Sequence, residues 1–129
     1  MSRTSALNKK LKKTFNLWIR LRDSNSDNYG FCCTCNKKVH YKKADAGHFI
    51  HGLNFVEDNQ HLQCKQCNKW KHGDQTNYTL FMLDKYGRER IEELKTLRKK
   101  IHKRSISELE NMFTDYKNRV NTILKERVG

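Results

Sequence analysis

Four of the five cysteines fall into two Cys-x-x-Cys pairs, Cys32 with Cys35 and Cys64 with Cys67, and residues 36–63 separate the pairs. Thiolates at this spacing are zinc ligands: four of them complete a closed tetrahedral shell at Zn–S distances of about 2.3 Å, which leaves no open position for a reacting molecule. The expected Zn2+ is therefore structural. It cross-links the two ends of a segment too small to hold itself, so its binding free energy becomes part of the folding free energy. Cys33 is surplus, because it could replace Cys32 only through the tighter Cys-x-Cys chelate, and it is read as unliganded.

Asp45-Ala46-Gly47-His48-Phe49 and Glu57-Asp58-Asn59-Gln60-His61 lie between the pairs, and Asn68-Lys69-Trp70-Lys71-His72 follows Cys67 directly. Phosphodiester hydrolysis needs a base to deprotonate water, a divalent cation for the developing charge and the leaving oxygen, and a scaffold that fixes both. A histidine ahead of the second knuckle can be the base. An asparagine held beside a zinc-bound cysteine is a neutral oxygen ligand, suited to Mg2+, which takes oxygens at about 2.0–2.1 Å and keeps several waters. The plainer alternative is a non-catalytic, zinc-stabilised DNA-binding protein.

This arrangement resembles the His-Asn-His (HNH) endonucleases of the ββα-metal fold, and more closely the NinG/Rap phage recombination proteins, structure-specific DNA endonucleases that act on branched recombination intermediates. The resemblance rests on Trp18-Ile19-Arg20-Leu21-Arg22-Asp23, Asp45-Ala46-Gly47-His48-Phe49, Glu57-Asp58-Asn59-Gln60-His61-Leu62-Gln63-Cys64 and Cys67-Asn68, with a weaker extension into Tyr86-Gly87-Arg88-Glu89-Arg90-Ile91. It implies an α+β fold: a small zinc-bound ββα-metal, treble-clef-like core flanked by an N-terminal basic helix and C-terminal helices. It further implies that His48 is the general base, that Asn59 is the central asparagine orienting the histidine and its loop, and that Asn68 is the metal ligand opening the helix of the motif. The implied products carry 5′-phosphate and 3′-hydroxyl ends.

Many members of that family place Asp or His directly before the base, where this chain has Gly47. Asp45 is the substitute ligand, since two residues earlier on an extended strand it shares the face of Gly47. The catalytic Mg2+ or Mn2+ is then held by Asp45 and Asn68. His72, four residues after Asn68 and on the same face if both are helical, is a third candidate. His61 shares a strand face with Asn59 and is structural, a support to the site or a DNA contact. His51 is a phosphate contact or a bystander, and His40 and His102 are surface residues. A sequence-specific restriction or homing enzyme is the rival within the nuclease reading.

The elements that must position these residues are legible in outline. Residues 7–22 read as a basic amphipathic helix, with Leu7, Leu11, Phe15, Trp18 and Leu21 at spacings of three or four. Val39-His40-Tyr41, Gly47-His48-Phe49-Ile50 and Gln60–Cys64 read as short strands. From Asn77 the pattern is helical, with a stop at Gly87. A second segment carries Ile91, Leu94, Leu97 and Ile101. A third begins at Ser105 or Ser107, each with a glutamate three residues on, and its stripe runs through Leu109, Met112, Phe113, Tyr116, Val120, Ile123 and Leu124. That stripe can pack within the chain or form a homodimer. The organisation is 1–30, basic helix and loop; 31–76, zinc-stabilised core; 77–129, helices; all within one compact domain.

Composition narrows the partner. The chain has 129 residues with 27 Lys+Arg against 14 Asp+Glu, a formal charge of +13, so its surface attracts polyanions and DNA, expected to be branched, is the leading one. Lys9, Lys10, Lys12, Lys13, Arg20 and Arg22 of the first helix, with Lys42, Lys43, Lys69 and Lys71, are the expected phosphate contacts. Residues 1–22 contain no acidic residue. No stretch approaches the ~20 apolar residues of a spanning helix, and the N-terminus has no apolar leader. The expected location is thus the cytoplasm, that of a bacterial host if the chain is phage-encoded, with no membrane partner. There, thiolate ligands are favoured over disulfides.

Overall fold

The computed structural model describes residues 2–100 and 103–128. Helix α1 spans Arg3–Arg22 and so starts ahead of the apolar stripe that marks it, because the Ser2 hydroxyl accepts a hydrogen bond from the Ser5 amide and caps an extra turn. Leu11, Phe15, Trp18 and Ile19 are buried along it. Helix α4, Ile106–Val128, packs on that stripe with Leu109, Tyr116 and Val120. The Tyr116 ring lies 4.8 Å from Phe15 in an edge-on contact and 5.2 Å from Trp18, a favoured aromatic geometry. The long C-terminal stripe is therefore covered within the chain. Ser105 decides where α4 begins: its hydroxyl accepts from Glu108 N at 3.1 Å while the Glu108 carboxylate accepts from Ser105 N, a reciprocal capping box.

Two antiparallel hairpins follow α1. In the first, β1 (Tyr29–Phe31) pairs with β2 (Lys38–His40), and in the second β3 (Ala44–His48) pairs with β4 (Gln60–Cys64), with Ala44 opposite Cys64 and His48 opposite Gln60. β2 stops before Tyr41 because His40 Nδ1 accepts from Lys42 N and turns 41–43 into a 3-10 turn. β3 occupies 44–48 instead of 47–50. Past His48, the Phe49 and Ile50 amides turn to the backbone and side-chain oxygens of Asn59. After β4 comes a π-helical turn, Gln66–Trp70.

Helices α2 (Gln75–Tyr86) and α3 (Arg88–Lys99) are parted by Gly87 at φ 86°, a conformation that favours glycine. Tyr78, Met82 and Leu94 from this pair enclose Phe49 and Leu53 in a second, smaller core. Ile101 of the expected stripe lies outside the described residues, as does His102. Polar ties join the layers. Arg127 of α4 donates to the Leu21 and Ser24 carbonyls, Tyr116 and Arg119 donate to Glu57, and Arg90 of α3 grips Asp58 with two nitrogens at 2.6 and 2.9 Å.

Candidate functional site

The β1–β2 tip carries Cys32 and Cys35, β4 ends on Cys64, and the π-helical turn holds Cys67. Their four sulfurs all lie within 4.8 Å of one another. Cys35 and Cys64 Sγ are 3.8 Å apart, which is the edge of a tetrahedron with ligand distances of about 2.3 Å and far beyond a disulfide bond of about 2.05 Å. The four could hold a metal such as zinc. The next layer orients them: Thr34 Oγ1 lies 3.3 Å from Cys32 Sγ and accepts from Gln63 Nε2 at 3.1 Å. Cys33 faces away into the α2–α3 core. Burial pushes its thiol well up, and the neighbouring Cys32 charge adds to this, so it is a poor thiolate source.

Beside this centre, Asp45, His48 and Asn68 line one open groove of about 490 Å³, together with Asn16, Arg20, Lys42, Lys65 and Lys69. Asn68 Nδ2 donates to Asp45 Oδ2 at 3.0 Å, and Lys65 Nζ donates to Asp45 Oδ1 at 2.7 Å. Burial opposes ionisation of Asp45, but these two hydrogen bonds and the Lys65 and Lys69 charges outweigh it and hold the carboxyl below the usual range. His48 is lowered as well, but there burial is the cause. Burial lowers its affinity for a proton, the hydrogen bond to Asn54 partly offsets that, and the charges of His51 and Lys12 add to the lowering. His48 Nε2 lies 3.1 Å from Asn54 Oδ1. An amide oxygen only accepts, so Nε2 carries the proton and Nδ1 keeps its lone pair.

Asn59 is fully buried and clamps the chain between the strands. Its Oδ1 accepts from Ile50 N at 2.9 Å, and its Nδ2 donates to the Ile50 and Leu53 carbonyls at 3.0 and 2.9 Å. The loop fixed in this way carries Asn54 to His48. Gly47, the position without a ligand, is closed over: a Cβ there would collide with the amide of Gln63.

Several expected site residues lie elsewhere. His72 does not share a helix face with Asn68, because the turn ends at Trp70 and His72 itself sits at φ 51°; it is exposed and not among the groove residues. Arg22 is committed internally, donating to the Glu57 and Gln60 carbonyls at 2.6 and 2.7 Å and to both oxygens of Asp23. Arg20 lines the groove and is anchored on the Tyr41 carbonyl at 2.8 Å. His61 is buried, with Tyr86 Oη 2.7 Å from Nε2 and Tyr78 Oη 3.4 Å from Nδ1, so it serves the core and does not contact a ligand. Lys9, Lys12, Lys13, Lys43 and Lys71 are exposed, and Lys10 lies over the Phe113 ring at 4.3 Å. Asn54, Asn16 and Lys65 are groove or support residues that sequence reasoning missed; no spacing links them to the histidine.

No solved structure matches the chain. Among curated proteins it is similar to Protein ninG of Escherichia phage lambda, 26% identical over 124 residues, and to Protein ninG of Escherichia phage 933W, 25% identical over the same length. Each alignment covers 92% of this chain but only 58–59% of the relative, so the chain spans a little over half the length of the proteins it matches. Among the described residues no helix is long and apolar enough to cross a membrane. The family model described as Bacteriophage Lambda NinG protein matches residues 1–126, and the chain belongs to the NinG family.

Proposed function

We propose that the chain is a metal-dependent, structure-specific DNA endonuclease of HNH type that acts on branched recombination intermediates, of the Holliday-junction or displacement-loop kind. The observation that carries this reading is the convergence of His48, Asp45 and Asn68 in one groove bordered by Arg20, Lys42, Lys65 and Lys69. The donor set fits a hard divalent cation. The Asp45 carboxylate and the Asn68 amide are neighbours, joined by the Asn68 Nδ2–Asp45 Oδ2 bond of 3.0 Å. With the amide turned so that Oδ1 faces the site, they would offer oxygens and leave room for the waters that Mg2+ or Mn2+ retains. Asp45 and Asn68 would hold it. When bound, the cation would supply positive charge to the scissile phosphate and to the departing 3′-oxygen. The four cysteines would hold the structural zinc.

His48 takes a proton from water at Nδ1, while Asn54 holds the ring through Nε2. Depressed proton affinity keeps the imidazole in its basic form near neutral pH. Asn59 keeps the loop that carries Asn54 in place. Arg20 and the groove lysines bind the phosphates on either side of the reacting one. The products are 5′-phosphate and 3′-hydroxyl ends.

The test is cleavage of a four-way junction, a displacement loop and linear duplexes in Mg2+ or Mn2+ by the wild type and by His48→Ala. A general base accounts for about 10²–10⁴-fold in rate, so the variant loses at least about a hundredfold. Equal cleavage by both proteins removes His48 from the chemistry. Binding without any cleavage identifies a zinc-stabilised DNA-binding protein, and preference for one linear sequence over every branched substrate identifies a sequence-specific enzyme.

A further inference from the structure

Trp70 is the anomaly that the groove does not absorb. It is 82% exposed, whereas Trp18, the other tryptophan, is 8% exposed in the α1–α4 interface. An indole is a large apolar surface to leave in water. The backbone beneath it is well held: Lys71 N bonds to the Gln66 carbonyl at 3.1 Å and Gly73 N to the Cys67 carbonyl at 2.9 Å, which ties the turn to one of the four clustered cysteines. The side chain is thus presented outward on a fixed base, flanked by the exposed Lys69 and Lys71. Lys69 and Asn68 also line the groove. Two peptide units separate Trp70 from Asn68, so their Cα atoms are at most about 7.6 Å apart, a span of roughly two or three stacked nucleotides.

An exposed aromatic between cations, beside a phosphate-binding groove, is the arrangement that receives an unpaired base: the lysines hold the backbone and the ring offers a stacking face. Bases inside a duplex already stack on each other and have no free face, whereas bases at a branch point or in a single strand do. We propose that Trp70 stacks on an unpaired base of DNA bound in the groove and so confers preference for branched or single-stranded DNA over unbranched duplex. The proposal rests on the DNA-binding part of the reading above but not on catalysis.

The experiment measures binding and intrinsic fluorescence for the full chain with zinc and without added Mg2+ or Mn2+, so that no strand is cut. Probes are a four-way junction with unpaired bases at its centre, a single strand and an unbranched duplex of equal length. Stacking is worth about 5- to 140-fold per base on truncation to alanine. Trp70→Ala is therefore expected to lose affinity in that range for the junction and the single strand, and less than about twofold for the duplex, with Trp70→Phe recovering most of the loss. Indole emission of the wild type should be quenched by the first two probes and not by the duplex, and the quench should vanish in Trp70→Phe. Because Trp70 is exposed, all variants should melt with the wild type. Equal losses on all three probes, or junction binding without quenching, overturn the stacking role while leaving DNA binding intact. Absence of DNA binding by the wild type overturns both readings.

Discussion

Asn59 offers the sharpest test of how the site is held. Its side chain makes three hydrogen bonds of 2.9–3.0 Å to the backbone of Ile50 and Leu53 and is wholly buried. Each bond contributes about 1 kcal/mol net, and a buried backbone group left without a partner costs about 1–3 kcal/mol. Asn59→Ala removes the two bonds to Ile50, at about 1 kcal/mol each, and leaves the Leu53 carbonyl stranded at about 1–3 kcal/mol, so the expected loss is about 3–5 kcal/mol. For a chain of this size that corresponds to a Tm lower by on the order of 10–20 °C. Asn59→Asp keeps the acceptor for Ile50 N but turns a charged oxygen toward two carbonyls, and it should be no milder than alanine. The assay is thermal unfolding followed by circular dichroism, with zinc at fixed excess so that mass action on the metal does not shift the comparison. A fall in Tm of less than about 3 °C for Asn59→Ala would show that the loop holds itself and that the asparagine is not its clamp.

Metal analysis of protein purified without chelator should find about one zinc per chain, and a strong chelator should abolish cooperative unfolding. The binding energy of a structural zinc, about 10–16 kcal/mol, rivals the whole stability of a domain; Cys64→Ser should behave like the chelated protein. Ser105→Ala should cost about 1 kcal/mol by opening the capping box of α4, whereas Ser107→Ala should be close to neutral in the same melt. Burial holds His61 neutral down to a pKa of about 3, while free imidazole titrates near 6.5. Between those values the unfolded chain binds a proton that the folded chain refuses, so stability is lost as the pH falls, by up to about 1.4 kcal/mol per unit. Melts at about pH 7 and about pH 5 should show a steeper fall for wild type than for His61→Gln. The zinc thiolates contribute equally to both, so equal slopes would remove His61 from the acid sensitivity.

What was legible in the sequence is what local chemistry decides. The cysteine pairs meet as their spacing requires, Gly87 ends a helix, and the stripe from Leu109 to Leu124 turns toward the core. What was not legible depends on partners distant in the chain. Arg20 and Arg22 look alike as a basic pair closing a helix, yet Arg22 meets carbonyls at 57 and 60 while Arg20 borders the groove. Ala44–Gly47 has no β-branched residue, so the sequence starts the regular strand only at Gly47, and the strand reaches back to Ala44 because β4 pairs with it. The 66–70 segment reads as the start of a regular helix that carries His72. Its π-helical turn ends at Trp70, and the backbone bends to left-handed angles at His72 and Asp74. Asn54 reaches His48 only because Asn59 folds the intervening loop.

The charge of the chain bears on how such a groove can hold a cation at all. A net charge of +13 repels divalent ions, and Asp45 already has the Lys65 ammonium at 2.7 Å. That ion pair is partly exposed and is worth little in water, so it is readily exchanged. Under the proposed reading, a DNA phosphate gives Lys65 an alternative anion and lowers the positive field around Asp45, which frees the carboxylate for Mg2+ or Mn2+. The two charges then arrive together: the phosphate satisfies the lysines and the cation satisfies Asp45 and Asn68, with each making the other's binding less costly. Under that reading, a basic groove in which Asp45 is the carboxylate among the described lining residues would tie cation binding to the presence of the strand to be cut, and the chain without DNA would have little tendency to hold the cation.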